Sequence, residues 1–175
     1  MANPHFILAA VVTIDGKIAR YPGHFSNWTS AEDKNHLHAL EDTCDVIILG
    51  RTTYELAAEP LAHRTCLVFT RSINGIHKKH ERCIFINPET VSLAQVMIEY
   101  GWRTACVLGG TEVYSYFLKN NLIDELYLTI EPIIFGEGLS LFETTTPDTV
   151  FTCASVKQLN TKGTLLLHYT RASLK

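Results

Sequence analysis

Val107-Leu108-Gly109-Gly110-Thr111-Glu112-Val113-Tyr114 joins an apolar run to an amphipathic segment through two glycines. Upstream, Ala105 to Leu108 is short and continuously apolar, which suits a buried strand. Downstream, Val113 with Phe117 and Tyr114 with Leu118 are (i, i+4) pairs, and Lys119 suits the end of a helix. A strand that turns through Gly-Gly into a helix brings backbone close to a ligand and aims a helix N-terminus at it, the arrangement that phosphate groups favour. The same turn with nothing bound is also common, so the rest of the chain decides its meaning.

Other short apolar runs recur at Phe6 to Val12, Val46 to Leu49, Cys66 to Phe69, Cys83 to Ile86 and Leu126 to Ile130. Helical patterns lie between them. Ser30 caps one containing Leu37 and Leu40, with Glu32 and Asp33 in its first turn, and Ser92 opens another through Val96 and Tyr100 that stops at Gly101. Phe151 to Leu159 and Thr164 to Thr170, joined around Asn160-Thr161-Lys162-Gly163, read as a terminal antiparallel hairpin. The alternation predicts a single three-layer α/β domain over residues 1–175, with a mixed, mostly parallel sheet ending in that hairpin. Asn74 to Arg82, rich in Lys and His, is expected to be a solvated loop.

Bulk properties narrow the partners. The 175 residues are 46% hydrophobic and carry a net charge of -3, which gives no global attraction to nucleic acid or to an anionic membrane. A small molecule is the expected partner, and the absence of a basic leader or a long apolar span leads to an expectation of a cytoplasmic protein. Five scattered cysteines, an odd number, read as reduced core residues. No Walker A sequence, Cys-x-x-Cys pair or His-Glu-x-x-His helix occurs, and His36 and His38 are two apart, so no metal site is expected.

Two further strand ends carry groups suited to a phosphorylated cofactor. Gly50-Arg51-Thr52-Thr53 follows Val46 to Leu49, and Thr70-Arg71-Ser72 follows Cys66 to Phe69. Both place a guanidinium and hydroxyls at a strand's C-terminal end, where ligands bind in open α/β sheets.

With these residues in view the chain resembles the dihydrofolate reductase superfamily, and in particular the branch with the riboflavin-biosynthesis pyrimidine reductases. Gly50-Arg51-Thr52-Thr53-Tyr54-Glu55 is similar to the Gly-Arg-x-Thr-Trp-Glu stretch of dihydrofolate reductases, with Tyr54 in place of the tryptophan, and Gly109-Gly110 with Tyr114 to their Gly-Gly turn. The resemblance implies NADPH, with Arg51, Thr52, Arg71 and Ser72 toward its adenosine phosphate end, Gly109, Gly110, Thr111, Glu112 and Val113 toward the pyrophosphate, and Gly50 and Thr53 also among the cofactor contacts. It also implies a catalytic acid at Asp33, supported by Thr129, with Glu32 the rival one position away. Substrate contacts are implied for Trp28, for Asp15 in the Thr13 to Ala19 stretch that resembles riboflavin-type reductases, and for Arg64 as an anion grip.

The substrate expectation is a pteridine reduced at a carbon-nitrogen double bond, best dihydrofolate. The alternatives are a riboflavin-pathway ribosylamino-pyrimidine phosphate, or a silent NADPH-binding module. The riboflavin-type pattern has an arginine where Glu41 stands and an acid where Leu108 stands. The resemblance also favours a homodimer.

Overall fold

The computed structural model describes residues 3–144 and 148–172. In chain order it contains β1 (His5–Thr13), β2 (Lys17–Ala19), α1 (Ala31–Glu41), β3 (Val46–Gly50), α2 (Arg51–Ala57), β4 (Cys66–Phe69), β5 (Ile76–His80) and β6 (Cys83–Ile86). There follow α3 (Leu93–Glu99), β7 (Thr104–Gly109), α4 (Thr111–Lys119), β8 (Glu125–Glu131), β9 (Leu139–Ser140), β10 (Phe151–Gln158) and β11 (Leu165–Arg171). Nine strands form one sheet in the order β10-β11-β8-β1-β7-β3-β4-β6-β5. The pairs from β8 across to β6 are parallel, while β11 with β8 and β10 with β11 are antiparallel. This is the mixed, mostly parallel sheet with a terminal hairpin.

Central strands read as unbroken apolar runs because alternate residues enter two different cores. Val46 and Ile48 of β3 join Leu93, Val96, Met97, Val113 and Phe117 on the face covered by α3 and α4. Ile47 and Leu49 join Tyr54, Leu37 and Leu40 on the face covered by α1 and α2. Thus three layers follow from the period of two in the strands and of 3.6 in the helices.

Two expectations change. Ile76–His80 is not a loop but an antiparallel edge strand against β6, exposed along its whole length. Its Lys and His residues hid it, since a strand paired on one side needs only backbone hydrogen bonds, and charge blunts an exposed edge. Of the cysteines, Cys66, Cys83 and Cys106 are buried, but Cys44 is half-buried and Cys153 is exposed on β10 at the other edge.

One contact locks the Gly-Gly turn to the sheet. The β1–β7 register runs from His5↔Thr104 to Leu8↔Val107 and then stops. At the next residue the hydroxyl of Tyr114, buried in α4, donates to the carbonyl of Ala9 at 2.7 Å. Removing that hydroxyl leaves a buried acceptor without its partner. Tyr114→Phe is therefore expected to cost about 1–2 kcal/mol in denaturant unfolding with an unchanged m-value.

Candidate active site

The helices that leave β3 and β7 depart on opposite faces of the sheet, α2 with the core of Tyr54 and α4 with that of Phe117. Adjacent strands whose connections diverge leave a crevice beyond their carboxyl ends. A cavity of about 1330 Å³ opens there, reaching from α4 and the ends of β3 and β4 to α1 and β8. A single small-molecule site is usually about 300–1,000 Å³, so this space suits two ligands side by side.

At one end, Gly50, Arg51, Thr52, Thr53 and Arg71 line the cavity together with Gly110, Thr111, Glu112 and Val113. Gly110 is the N-cap of α4 and supplies no side-chain cap, so the first N–H groups of that helix lack the partner that Ser30 gives α1 and Ser92 gives α3. Gly109 lies just behind the lining with φ +88, and the Gly109–Gly110 peptide is cis. A Cβ on Gly109 would meet the Tyr114 ring at 2.5 Å, so only glycine fits there. Arg51 reaches Glu55 at 2.8 Å and Ser72 at 3.2 Å, and Arg71 reaches Glu112 at 2.9 Å. All four charged partners are more than half exposed, so these pairs exchange readily for a stronger anion. Ser72 backs Arg51 rather than lining the cavity, and the Thr111 hydroxyl is engaged, donating to the Ser140 carbonyl at 2.6 Å. Exposed cations and an uncapped helix start are a donor set that fits a dinucleotide's phosphates.

At the other end, Asp33 and Thr129 face the cavity from α1 and β8. Asp33 is 6% exposed and Thr129 2% exposed. Burial pushes the Asp33 carboxyl above the usual carboxylate range; the Thr129 and Thr29 hydroxyls act against that shift, Glu131 reinforces it, and His36 opposes it. Glu32, one residue earlier, is exposed and accepts from Asn160 at 3.3 Å. A single step around the helix separates a solvated acid from an enclosed one.

Three expected substrate contacts lie elsewhere. Asp15 accepts from Thr13 Oγ1 at 2.6 Å and from the backbone N–H groups of Phe135 and Gly136 at 3.1 and 2.8 Å. The Thr13 hydroxyl and those N–H groups outweigh desolvation and hold its pKa at about 2, so Asp15 clasps two loops as a fixed carboxylate. Trp28 packs edge-on against Phe135 at 4.9 Å and borders a separate recess with Glu131 and Lys162. Arg64 does not line the cavity; its guanidinium is bound by Asp42 and Glu41. Conversely His36, Glu41 and Tyr127 line it, although the sequence did not mark them as ligand contacts. His36 follows Asp33 by three residues, the spacing that shares a helix face, and that signal is present in the sequence.

Among the described residues no group of three or more His, Cys, Asp and Glu is arranged to hold a metal ion. Nor is any helix there long and apolar enough to cross a membrane.

Comparison with known proteins agrees with this architecture. Residues 24–161 match the family model for dihydrofolate reductase. The chain is 30% identical over 174 residues to the uncharacterized protein YwjB of Bacillus subtilis (strain 168), covering 95% of this chain and 97% of that protein. Among solved structures, RibD of Acinetobacter baumannii superposes with a TM-score of 0.79 at 16% identity, over 98% of this chain and 59% of that one. A pyrimidine reductase-like protein of Corynebacterium diphtheriae gives 0.74 at 15% identity, over 97% and 92%. These structural likenesses establish a shared fold, and the match across most of the sequence establishes more: this chain belongs to the dihydrofolate reductase family.

Proposed function

We propose that this protein is an NADPH-dependent reductase that converts a carbon-nitrogen double bond of an amino-substituted pyrimidine substrate to the CH–NH form. The observation that carries the reading is Asp33: an enclosed carboxylic acid shares one cavity with the uncapped start of α4 and the arginines of two strand ends. NADPH supplies the hydride when bound. The chain then has to hold the acceptor carbon close to the donor, exclude water, and bring a proton to the nitrogen where negative charge develops. Asp33 is placed for the last task, and Thr129 behind it fixes the orientation of its carboxyl.

Of the two substrate classes that the resemblance implies, likeness to RibD and to a pyrimidine reductase-like protein supports the pyrimidine over dihydrofolate, the first expectation. A dihydropteridine is the second reading, favoured by the Asp33 and Thr129 pairing that the resemblance assigns to dihydrofolate reductases. The assay is loss of the reduced-nicotinamide absorbance when protein and NADPH meet each substrate class. Oxidation with the pyrimidine supports the first reading, and oxidation with dihydrofolate alone moves the assignment to the second. A tight NADPH complex that oxidises with neither identifies a silent cofactor-binding module.

Cofactor choice is tested separately. Arg51→Ala and Arg71→Ala each remove a charged donor suited to the extra phosphate that distinguishes NADPH from NADH. Each is expected to weaken NADPH about tenfold in a fluorescence titration, with NADH affinity changed by less than about twofold. Equal losses for both cofactors would move these arginines away from that phosphate.

A further inference from the structure

At the last turn of α1 the cavity is lined by Leu37, His38 and an acidic residue, Glu41. Glu41 ends that helix, is 3% exposed, and lines the cavity with Leu37, Leu49 and Leu61. Two unfavourable placements coincide on this side chain: burial strips its hydration, and the helix C-terminus presents the negative end of the macrodipole. Protein groups offset them. Arg64 Nη2 lies 3.4 Å from Glu41 Oε2, and His38 Nδ1 lies 3.2 Å from the same oxygen.

That service consumes the arginine. Arg64 Nη1 donates to Asp42 Oδ1 at 2.5 Å, and Nη2 also donates to the His38 carbonyl at 3.4 Å. Nε is enclosed with no hydrogen-bond partner among the described residues, and the side chain as a whole is 14% exposed. One guanidinium therefore faces two carboxylates, Glu41 and Asp42, and of the Glu41–Arg64 pair it is the acidic residue, not the arginine, that lines the cavity. Drawing Arg64 toward an incoming anion would leave Glu41 buried without its counter-charge, a penalty larger than the benefit of the new ion pair.

We infer that this end of the cavity receives an uncharged, donor-bearing arm of the substrate, an amino or hydroxyl group directed at Glu41, and turns away a phosphorylated or carboxylated arm. The inference rests on the proposed reductase reading for the ring and goes beyond it in the arm. It makes Glu41 the specificity-determining residue and Arg64 its positioning residue. A phosphate or a glutamate tail placed here meets like charge in an enclosed space, where such juxtaposition is strongly disfavoured.

Two measurements on the full-length protein test this. In the first, inorganic phosphate is titrated into protein saturated with NADP+, and the Nε–H resonance of Arg64 is followed by NMR, assigned by its loss in Arg64→Lys. The resonance is expected to stay in place through millimolar phosphate, and to move in a Glu41→Gln, Asp42→Asn double variant that frees the guanidinium. In the second, calorimetry on the same complex compares a ribosylamino-pyrimidine with its ribose phosphate. The phosphate-free form is expected to bind at least about tenfold more tightly, with Glu41→Gln shrinking the preference to within about threefold.

A shift of Arg64 by phosphate in the wild-type protein, or equal or tighter binding of the phosphorylated form, overturns the inference. Both wild-type measurements stand without the variants. If neither pyrimidine binds, the substrate-ring reading fails while the phosphate titration still decides whether Arg64 is open to anions.

Discussion

Asp33→Asn is expected to lower turnover at neutral pH by about 10²–10⁴-fold while NADPH affinity stays within about twofold, because the substitution removes the proposed proton donor and leaves the proposed cofactor end of the cavity untouched. Wild-type activity should fall as pH rises through the native pKa of Asp33, which burial places above the usual carboxylate range. The variant's residual rate should lack that limb. Stability moves the opposite way. The folded state holds the Asp33 proton more tightly than the unfolded chain does, so its contribution is fully present below the ordinary carboxyl value of 3.8 and is lost as pH rises through the elevated native value. The amide of the Asp33→Asn variant has no charge to bury, and the variant should therefore melt higher than wild type at neutral pH, with the gap closing in acid. A variant as active as wild type would remove Asp33 from the chemistry. A variant less stable at neutral pH would mean that the carboxylate is held by its hydroxyl neighbours more than it is strained by burial.

The choice between Asp33 and Glu32 shows where sequence reading runs out. Ser30 and its following acids announce a helix start, and its cap is made as expected, with Ser30 Oγ accepting from the Asp33 N–H at 3.2 Å. Which acid faces inward depends on the rotation of that helix against β8, and one residue is about 100° of turn. Leu37 and Leu40 are the apolar residues that pack on the core, but they are only partly buried while Asp33 and Glu41 are buried, so two leucines on an 11-residue helix fix its rotation poorly. The central strands were legible for the opposite reason: Val46 to Leu49 is apolar at every position, so no choice of face is needed. The structural partners of Asp15 were not legible because two of them lie in the chain after Pro132. The motif around Gly16 looks local, yet the carboxylate is fixed by Phe135 and Gly136 from across the fold. Arg64 similarly reads as a free cation until Asp42 and Glu41 close around it. Pairings across the fold decide whether a charge serves a ligand or the protein.

The Gly-Gly turn makes the contrast between folding and binding measurable at adjacent positions. In Gly109→Ala the new Cβ enters a left-handed backbone, φ +88, and lies 2.5 Å from a Tyr114 ring that is 5% exposed and tied through its hydroxyl to Ala9. The ring has no room to give way, and conformational strain adds to overpacking. A loss of about 3 kcal/mol is expected, seen as a fall in melting temperature of roughly 6–12 °C for a chain of this size. In Gly110→Ala the backbone has φ -74, which any residue adopts, and the nearest atom to the new Cβ is Thr53 Oγ1 at 3.8 Å. Stability should change by less than about 0.5 kcal/mol. The methyl group, however, is added where Gly110 borders the cavity at the start of α4, between the backbone and any phosphate that approaches it. NADPH affinity is expected to drop at least about tenfold, which corresponds to about 1.4 kcal/mol of lost close approach. If Gly110→Ala binds NADPH as well as wild type does, α4 is not where the pyrophosphate sits, and the glycines serve only the packing of Tyr114 against the sheet.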